Sequence, residues 1–181
     1  MRLSISDWDQ CGMYQRGHLG MGLALYAPVG FFVAAVGGLE VGIIGAVVVG
    51  SLASTPDLDM RVPFIKHRGI THTVWFALVV GVVMAIIGGI VGLSMGPLWL
   101  FVFAILGGIL GILTILSHIV ADALTPMGVQ PYKPVRSTKY TWDLVKASNP
   151  IANYGLLVIG GVLASAAVFG GYYLRSLVIG A

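Results

Sequence analysis

Apolar residues run along this chain in long stretches that short polar segments separate. A helix of roughly 20 apolar residues is long enough to cross the hydrocarbon core of a membrane. Four such stretches lie near residues 19–39, 73–93, 97–120 and 151–174. The pattern therefore predicts at least four transmembrane helices, the first of them a retained helix and not a cleaved signal.

A fifth apolar stretch, residues 41–55, is shorter than the others. As a helix it would rise only about 22 Å, so we expect it either to begin earlier, within Gly-Gly-Leu-Glu at 37–40, or to end where other helices shelter it. With this stretch included, the predicted fold is all-α. It is a polytopic integral membrane helix bundle of about five transmembrane helices, forming one membrane-embedded domain over residues 1–181.

The composition supports a membrane protein and argues against a nucleic-acid-binding one. Hydrophobic residues make up 57% of the chain and charged residues only 9%, far from the usage of soluble domains. The net charge of +3 suits anionic lipid headgroups, and the chain contains no helix-turn-helix pattern, zinc-finger spacing or basic run. Membrane lipid is the expected partner and no nucleic acid is expected, while the sequence leaves the oligomeric state open.

The distribution of basic residues predicts an orientation. With five spans, the N-terminus and the loops at 56–72 and 121–150 share one face, which holds nine of the ten Lys and Arg residues. Only Arg175 lies towards the other face. Because cytoplasmic loops carry an excess of Lys and Arg, we expect this face to be cytoplasmic and the C-terminus to lie outside.

The residues able to bind metal are concentrated on that same predicted face. All four histidines and three of the seven acidic residues fall in three clusters: His18, the segment 57–72, and His118 with Asp122. Ionisable side chains beside a bilayer are costly and therefore indicate a functional site. Imidazole nitrogens and carboxylate oxygens are ligands for zinc and related divalent metals. The sequence therefore predicts one metal centre.

Two pairs of residues have spacings that suit shared ligation. His118 and Asp122 are four apart and lie on one face of a helix, although they could simply hydrogen-bond each other. Asp57 and Asp59 would project to the same side of an extended or turn segment and share a cation, unless they are solvated helix caps.

The segment His-Arg-Gly-Ile-Thr-His at 67–72 adds further chemistry. Gly69 allows a sharp turn that would bring His67 and His72 to one pocket, and Thr71 could cap the following helix. Arg68 suits a phosphoryl group, where it would stabilise charge on phosphorus, or it is a membrane anchor. The predicted metal ligands are His18, Asp57, Asp59, His72, His118 and Asp122. His67 would be a further ligand or a group supporting one, and the general base would be either His67 or one of the carboxylates.

The motifs of these clusters resemble a known family. They are His18, Pro-Asp-Leu-Asp at 56–59, His-Arg-Gly-Ile-Thr-His-Thr at 67–73, and His-x-x-x-Asp-x-x-Thr-x-x-Gly at His118, Asp122, Thr125 and Gly128. In these the chain resembles the YdjM-like family of LexA-regulated, inner-membrane-associated metal-dependent hydrolases. The resemblance implies a small integral membrane hydrolase whose substrate is generally unassigned.

A fainter resemblance is to zinc-dependent phospholipase C and P1-type nucleases, helical enzymes whose metals are held by His and Asp. This chain lacks the downstream His and Glu pair of those enzymes. One or two divalent ions are therefore expected instead of three, with zinc as the first expectation and manganese or iron next because no thiolate is involved.

Together these features predict a membrane-bound, metal-dependent hydrolase that acts on a phosphoester of a lipid or membrane-associated substrate at the cytoplasmic surface. One alternative is a cation-binding transporter, but the third and fifth spans carry no charged residue in their apolar cores. Another is a non-catalytic, metal-stabilised membrane scaffold. Four protein ligands around the ion would favour the scaffold, and an open coordination position would favour catalysis.

Overall fold

The computed structural model describes residues 15–61 and 68–179. Within these ranges the chain forms five α-helices, two short 3-10 helices and no β-strand. The helices are α1 (Gln15–Gly37), α2 (Leu39–Leu52), α3 (Val74–Leu93), α4 (Pro97–Ala123) and α5 (Pro150–Ile179). Each of them, with α2 extended to Met60, is long and apolar enough to cross a membrane. The predicted all-α membrane bundle with five spans is confirmed.

The short helix α2 begins earlier than its apolar stretch and also ends at a sheltered position, so both expectations for its length are met. It begins at Leu39, within the segment 37–40, directly after Gly38. The φ of Gly38 is 93°, a left-handed conformation that favours glycine and lets the chain reverse from α1 into α2. At its other end α2 stops at Leu52, the next residue Ala53 is buried, and the chain continues as the first 3-10 helix, Pro56–Arg61.

Small residues allow the helices to pack closely in two main pairs. Helix α1 packs along α5, and α3 packs along α4, while α2 contacts α1, α4 and α5. At Gly107 a Cβ atom would collide with the carbonyl oxygen of Met84, and at Gly160 it would collide with the backbone of Gly20. Backbones approach this closely only where small residues face each other, as is common between membrane helices.

The outward faces of the bundle are apolar. Helix α3, for example, exposes Val79, Val82, Ile86 and Ile90. A surface of this kind suits contact with lipid chains, because the helix satisfies its own backbone hydrogen bonds.

The alternating helix directions bring the starts of α1, α3 and α5 and the ends of α2 and α4 to one end of the bundle. The segment between α4 and α5 folds over this end. Backbone hydrogen bonds join Val129 and Tyr140 in both directions at 2.9 and 2.8 Å. They also tie Trp142 N–H to the Ala123 carbonyl at 2.7 Å and Val74 N–H to the Pro131 carbonyl at 2.9 Å. This end of the bundle carries the three polar clusters.

Candidate metal centre

The three polar clusters meet at one end of the bundle, as the five-span topology predicts. His18 comes from α1, Asp57 from the first 3-10 helix, His72 from the second 3-10 helix (Ile70–His72), and His118 and Asp122 from α4. The side chains of the three histidines are fully buried, and that of Asp122 is 1% exposed. Asp57 is 16% exposed and is therefore the most solvent-exposed of these five residues.

Four donor atoms form a compact set at the middle of this cluster. His72 Nε2 lies 3.4 Å from Asp57 Oδ1 and 3.3 Å from Asp122 Oδ2. His118 Nε2 lies 3.4 and 3.6 Å from the same two oxygens, and the two nitrogens are 3.1 Å apart. Tetrahedral zinc with bonds of about 2.0–2.1 Å separates its ligand atoms by roughly 3.3–3.4 Å. Each nitrogen therefore lies from the other nitrogen and from both carboxylate oxygens at about the distance that separates two ligands of one divalent ion.

The other ring nitrogen of His118 fixes the tautomer of this residue. Nδ1 lies 2.8 Å from the carbonyl oxygen of Ala53, the residue directly after α2. Because a carbonyl oxygen only accepts hydrogen bonds, Nδ1 carries the proton and Nε2 presents a lone pair to the cluster. Metal-binding histidines commonly have such a partner behind them.

His72 also has its partners behind the ring. Its Nδ1 lies 3.0 Å from Thr71 Oγ1 and 3.5 Å from Asp59 Oδ2, and Thr71 donates a hydrogen bond of 2.6 Å to Asp59. Burial lowers the pKa of His72, but hydrogen bonds to Asp57 and Asp59 outweigh this effect and raise the pKa to about 9. The surroundings of this ring therefore stabilise positive charge.

Two local expectations at this end of the bundle were wrong. Asp57 and Asp59 do not project to the same side, because their segment is a 3-10 helix with three residues per turn. Asp57 faces the four-donor set, whereas Asp59 lies behind His72. The cap of α3 is Thr73, whose hydroxyl accepts from Phe76 N–H at 3.2 Å, while Thr71 binds Asp59 instead. The helix begins later than expected because the second 3-10 helix precedes it.

Arg68 is held against Asp122 by an unusual backbone conformation. Its φ is 57°, a left-handed value that costs free energy in a non-glycine residue and is concentrated at functional sites. Nη2 donates to Asp122 Oδ1 at 2.6 Å, and Nη1 donates to the Gly128 carbonyl at 2.8 Å. The Thr125 hydroxyl lies 3.5 Å from Nη1. The Thr and Gly of the sequence motif thus help to hold Arg68.

His18 lies on the other side of the two carboxylates. Its ring stacks on His118 with centroids 3.7 Å apart and planes 9° apart. Its Nε2 is 3.6 Å from Asp57 Oδ2 and 3.9 Å from Asp122 Oδ1. Within residues 15–61 and 68–179, neither ring nitrogen has a hydrogen-bond partner.

The predicted site residues thus divide into three classes. His18, Asp57 and His118 form one group, and His72, His118 and Asp122 form another; within each group the donor atoms lie within 4.8 Å of one another. Asp59 and Arg68 contact members of these groups. His67 lies outside the described residues, so its role stays a prediction. The Ala53 carbonyl and the Thr71 hydroxyl were not predicted as partners of the centre: Ala53 acts through its backbone, which no residue type marks, and Thr71 stands in the motif at 67–73 but was predicted as a helix cap.

Comparison with known proteins agrees with the motifs. Residues 13–180 match the family described as YdjM inner membrane protein. No curated protein matches the chain, and no solved structure does.

Proposed function

This chain belongs to the YdjM inner membrane protein family and is a multi-pass membrane protein. From that premise we propose that it is a metal-dependent hydrolase acting on a phosphoester of a lipid or another membrane-associated substrate. The observation that carries the proposal is the set of four donor atoms from His72, His118, Asp57 and Asp122, in which each imidazole nitrogen lies 3.1 to 3.6 Å from the other nitrogen and from both carboxylate oxygens. Two imidazoles with two carboxylates suit zinc first, then manganese or iron.

A divalent ion bound there would supply Lewis-acid chemistry, polarising a phosphoryl oxygen and making a bound water more acidic. The protein's own contribution is to hold the ligands rigidly. The Ala53 carbonyl orients His118, and Asp59 with Thr71 orients His72. Because Asp57 is 16% exposed while its partners are buried, the substrate would approach on the Asp57 side.

Arg68 supports a phosphoryl substrate. The guanidinium is 8% exposed and carries a permanent positive charge beside the donor set. Three of its N–H groups are directed to Asp122, Thr125 and Gly128. Its Nε–H is buried and has no acceptor among the residues that the structure describes, so an oxygen on phosphorus that entered the centre would satisfy it. In this role Arg68 would stabilise charge that develops during hydrolysis.

We also propose that the metal centre opens towards the cytoplasm, because nine of the ten basic residues belong to the N-terminal segment and the loops at 56–72 and 121–150, which five spans assign to the side of the membrane that holds the centre. The test is labelling with a membrane-impermeant maleimide in a Cys11→Ser background. Lys139→Cys should be labelled in inverted vesicles only, and Ser176→Cys in intact spheroplasts only. The reverse pattern would overturn the orientation.

A non-catalytic scaffold is the second candidate, and the four-donor set is what favours it. Four protein ligands around one ion leave no open position, which is typical of structural zinc sites. In that case metal would be present and would stabilise the fold, but the purified protein would hydrolyse no phosphoester.

The deciding experiment combines metal analysis with activity on the full-length protein purified in detergent. We expect wild type to contain zinc or a related ion and to release phosphate or a headgroup in lipid phosphatase and phospholipase assays. Asp57→Ala and His118→Ala should lose both. The matched control is Asn153→Ala, a buried residue whose amide, among the residues that the structure describes, donates to the backbone carbonyls of Ala147 and Asn149 and not to a member of the centre. Wild type without metal, or variants with unchanged metal content, would refute the centre.

A further inference from the structure

The carboxylate of Asp57 faces two groups of nitrogens at once. Its Oδ1 lies 3.4 Å from both His72 Nε2 and His118 Nε2. Its Oδ2 lies 3.6 Å from His18 Nε2. One oxygen therefore belongs to the four-donor set, and the other points to a histidine outside that set.

The carboxylate of Asp122 repeats this division. Its Oδ2 lies 3.3 Å from His72 Nε2 and 3.6 Å from His118 Nε2, while its Oδ1 lies 3.9 Å from His18 Nε2. The two carboxylates thus present a second set of three donor atoms: His18 Nε2, Asp57 Oδ2 and Asp122 Oδ1.

The state of His18 points to a ligand at this second set. The ring is fully buried, and neither of its nitrogens has a hydrogen-bond partner within the described ranges. A buried polar group without a partner is costly and calls for an explanation such as an ion. Stacking on His118 holds the ring in place, and its Nε2 is the atom directed at the two carboxylates.

We infer that the centre binds two divalent cations bridged by Asp57 and Asp122, with His18 as the histidine ligand of the second cation. This inference rests on the proposed metal-dependent function. The first position has four protein donors and is closed, whereas the second has three, as catalytic zinc sites do. The second cation therefore supplies the open coordination that the four-donor set lacks, and paired metals of this kind are common in phosphatases and nucleases.

The two positions differ in electrostatics. Arg68 Nη2 lies 2.6 Å from Asp122 Oδ1, an oxygen of the second position, so the guanidinium competes for that oxygen and repels a cation there. The second cation is therefore the more weakly bound of the two.

The test is a cobalt titration of the metal-free, full-length protein in detergent, with bound metal measured after removal of free ions. Wild type should bind two Co²⁺ per chain in two affinity classes, and His18→Ala should bind one, with the weaker class lost. Asn153→Ala should bind two. His18→Cys keeps a ligand at the position, so it should bind two and show a thiolate-to-cobalt charge-transfer band that wild type, which contains Cys11, lacks.

Each outcome bears on a different claim. One Co²⁺ per chain at saturation in both wild type and His18→Ala would overturn the two-cation inference and leave the four-donor centre standing. Two Co²⁺ in His18→Ala, or no charge-transfer band in a folded His18→Cys, would also overturn it. No bound Co²⁺ in wild type would refute the proposed metal centre itself.

Discussion

The Nε2 atoms of His72 and His118 lie 3.1 Å apart, although 46 positions separate these residues in the chain. His118 carries its proton on Nδ1, which donates to Ala53, so its Nε2 is an acceptor. Two facing lone pairs would repel each other at this distance, so either a proton on His72 Nε2 or a metal ion must lie between the nitrogens. A proton on His72 and a metal ion compete for the same place.

This competition predicts how metal affinity depends on pH. In the metal-free protein the pKa of His72 is raised to about 9, so an incoming ion must displace a proton at neutral pH. With one proton displaced, the affinity for Zn²⁺ should fall about tenfold for each pH unit below 9, down to neutrality. Competition with a chromophoric chelator between pH 7 and 9 measures this slope. A flat profile would contradict it.

The metal-free protein should show the opposite trend in stability. A histidine whose pKa rises on folding contributes stability that is fully present below its ordinary pKa of 6.5 and is lost as the pH passes its folded value of about 9. The Tm of chelator-treated protein should therefore decrease between pH 6.5 and 9, while the rise in Tm on adding zinc should increase. Equal pH profiles with and without zinc would rule out His72 as the group responsible.

A substitution of Asp59 tests whether the carboxylate behind His72 contributes to metal affinity. Asp59→Asn should keep the number of bound ions but lower the affinity about 10- to 100-fold, as is usual for groups that orient a metal-bound histidine. Asp57→Asn should be far more severe, because it removes negative charge from the donor set itself. Metal titration of the two variants side by side checks this order. Loss of an ion in Asp59→Asn would instead make Asp59 a direct ligand, as the sequence alone suggests.

The sequence predicted the fold well because membrane spans are a matter of length and apolarity. All five spans were located, and the observed helix ends differ from the predicted ones by a few residues in both directions: α1 begins earlier, at Gln15, but ends earlier too, at Gly37, and α5 ends later, at Ile179. These end residues are set by packing and capping, which the apolar pattern does not reveal. The special ends of the short α2 were also predicted from its length, since a helix of 14 residues cannot cross a bilayer without the turn that follows it.

The metal centre was predicted where the spacing itself determines the geometry. His118 and Asp122 share a face because both lie on one helix. The roles of Asp59 and Thr71 could not be predicted from the sequence. Asp57 and Asp59 are two residues apart, so their side chains would lie on one side of an extended chain, but they lie on different sides of a 3-10 helix. The Ala53 carbonyl is backbone, so its bond to His118 leaves no trace in residue type.

We predict that Arg68 supports activity through the planar arrangement of its N–H groups and not through its charge alone. Arg68→Lys keeps the charge but cannot bond Asp122 and the Gly128 carbonyl together, so we expect phosphoesterase activity to fall about 10- to 100-fold. Arg68→Gly relieves the φ of 57° but removes the guanidinium, and added guanidinium should restore part of its activity. Wild-type activity in Arg68→Lys, or no rescue of a metal-loaded Arg68→Gly, would argue against this role.

Because α3 packs closely against α4, replacing Gly107 with alanine should destabilise the protein more than the same replacement at Gly161. A Cβ on Gly107 would collide with the carbonyl oxygen of Met84, which is backbone and cannot move aside, whereas a Cβ on Gly161 would have no neighbour within 4 Å among the described residues. Both lie inside helices, so the helix propensity gained from alanine is the same. Gly107→Ala should lower the free energy of unfolding by about 1–3 kcal/mol, the usual cost of overpacking. Gly161→Ala should leave it unchanged or slightly raise it, as thermal unfolding in detergent would measure. Equal melting temperatures for the two variants would show that α3 and α4 do not approach as closely as described.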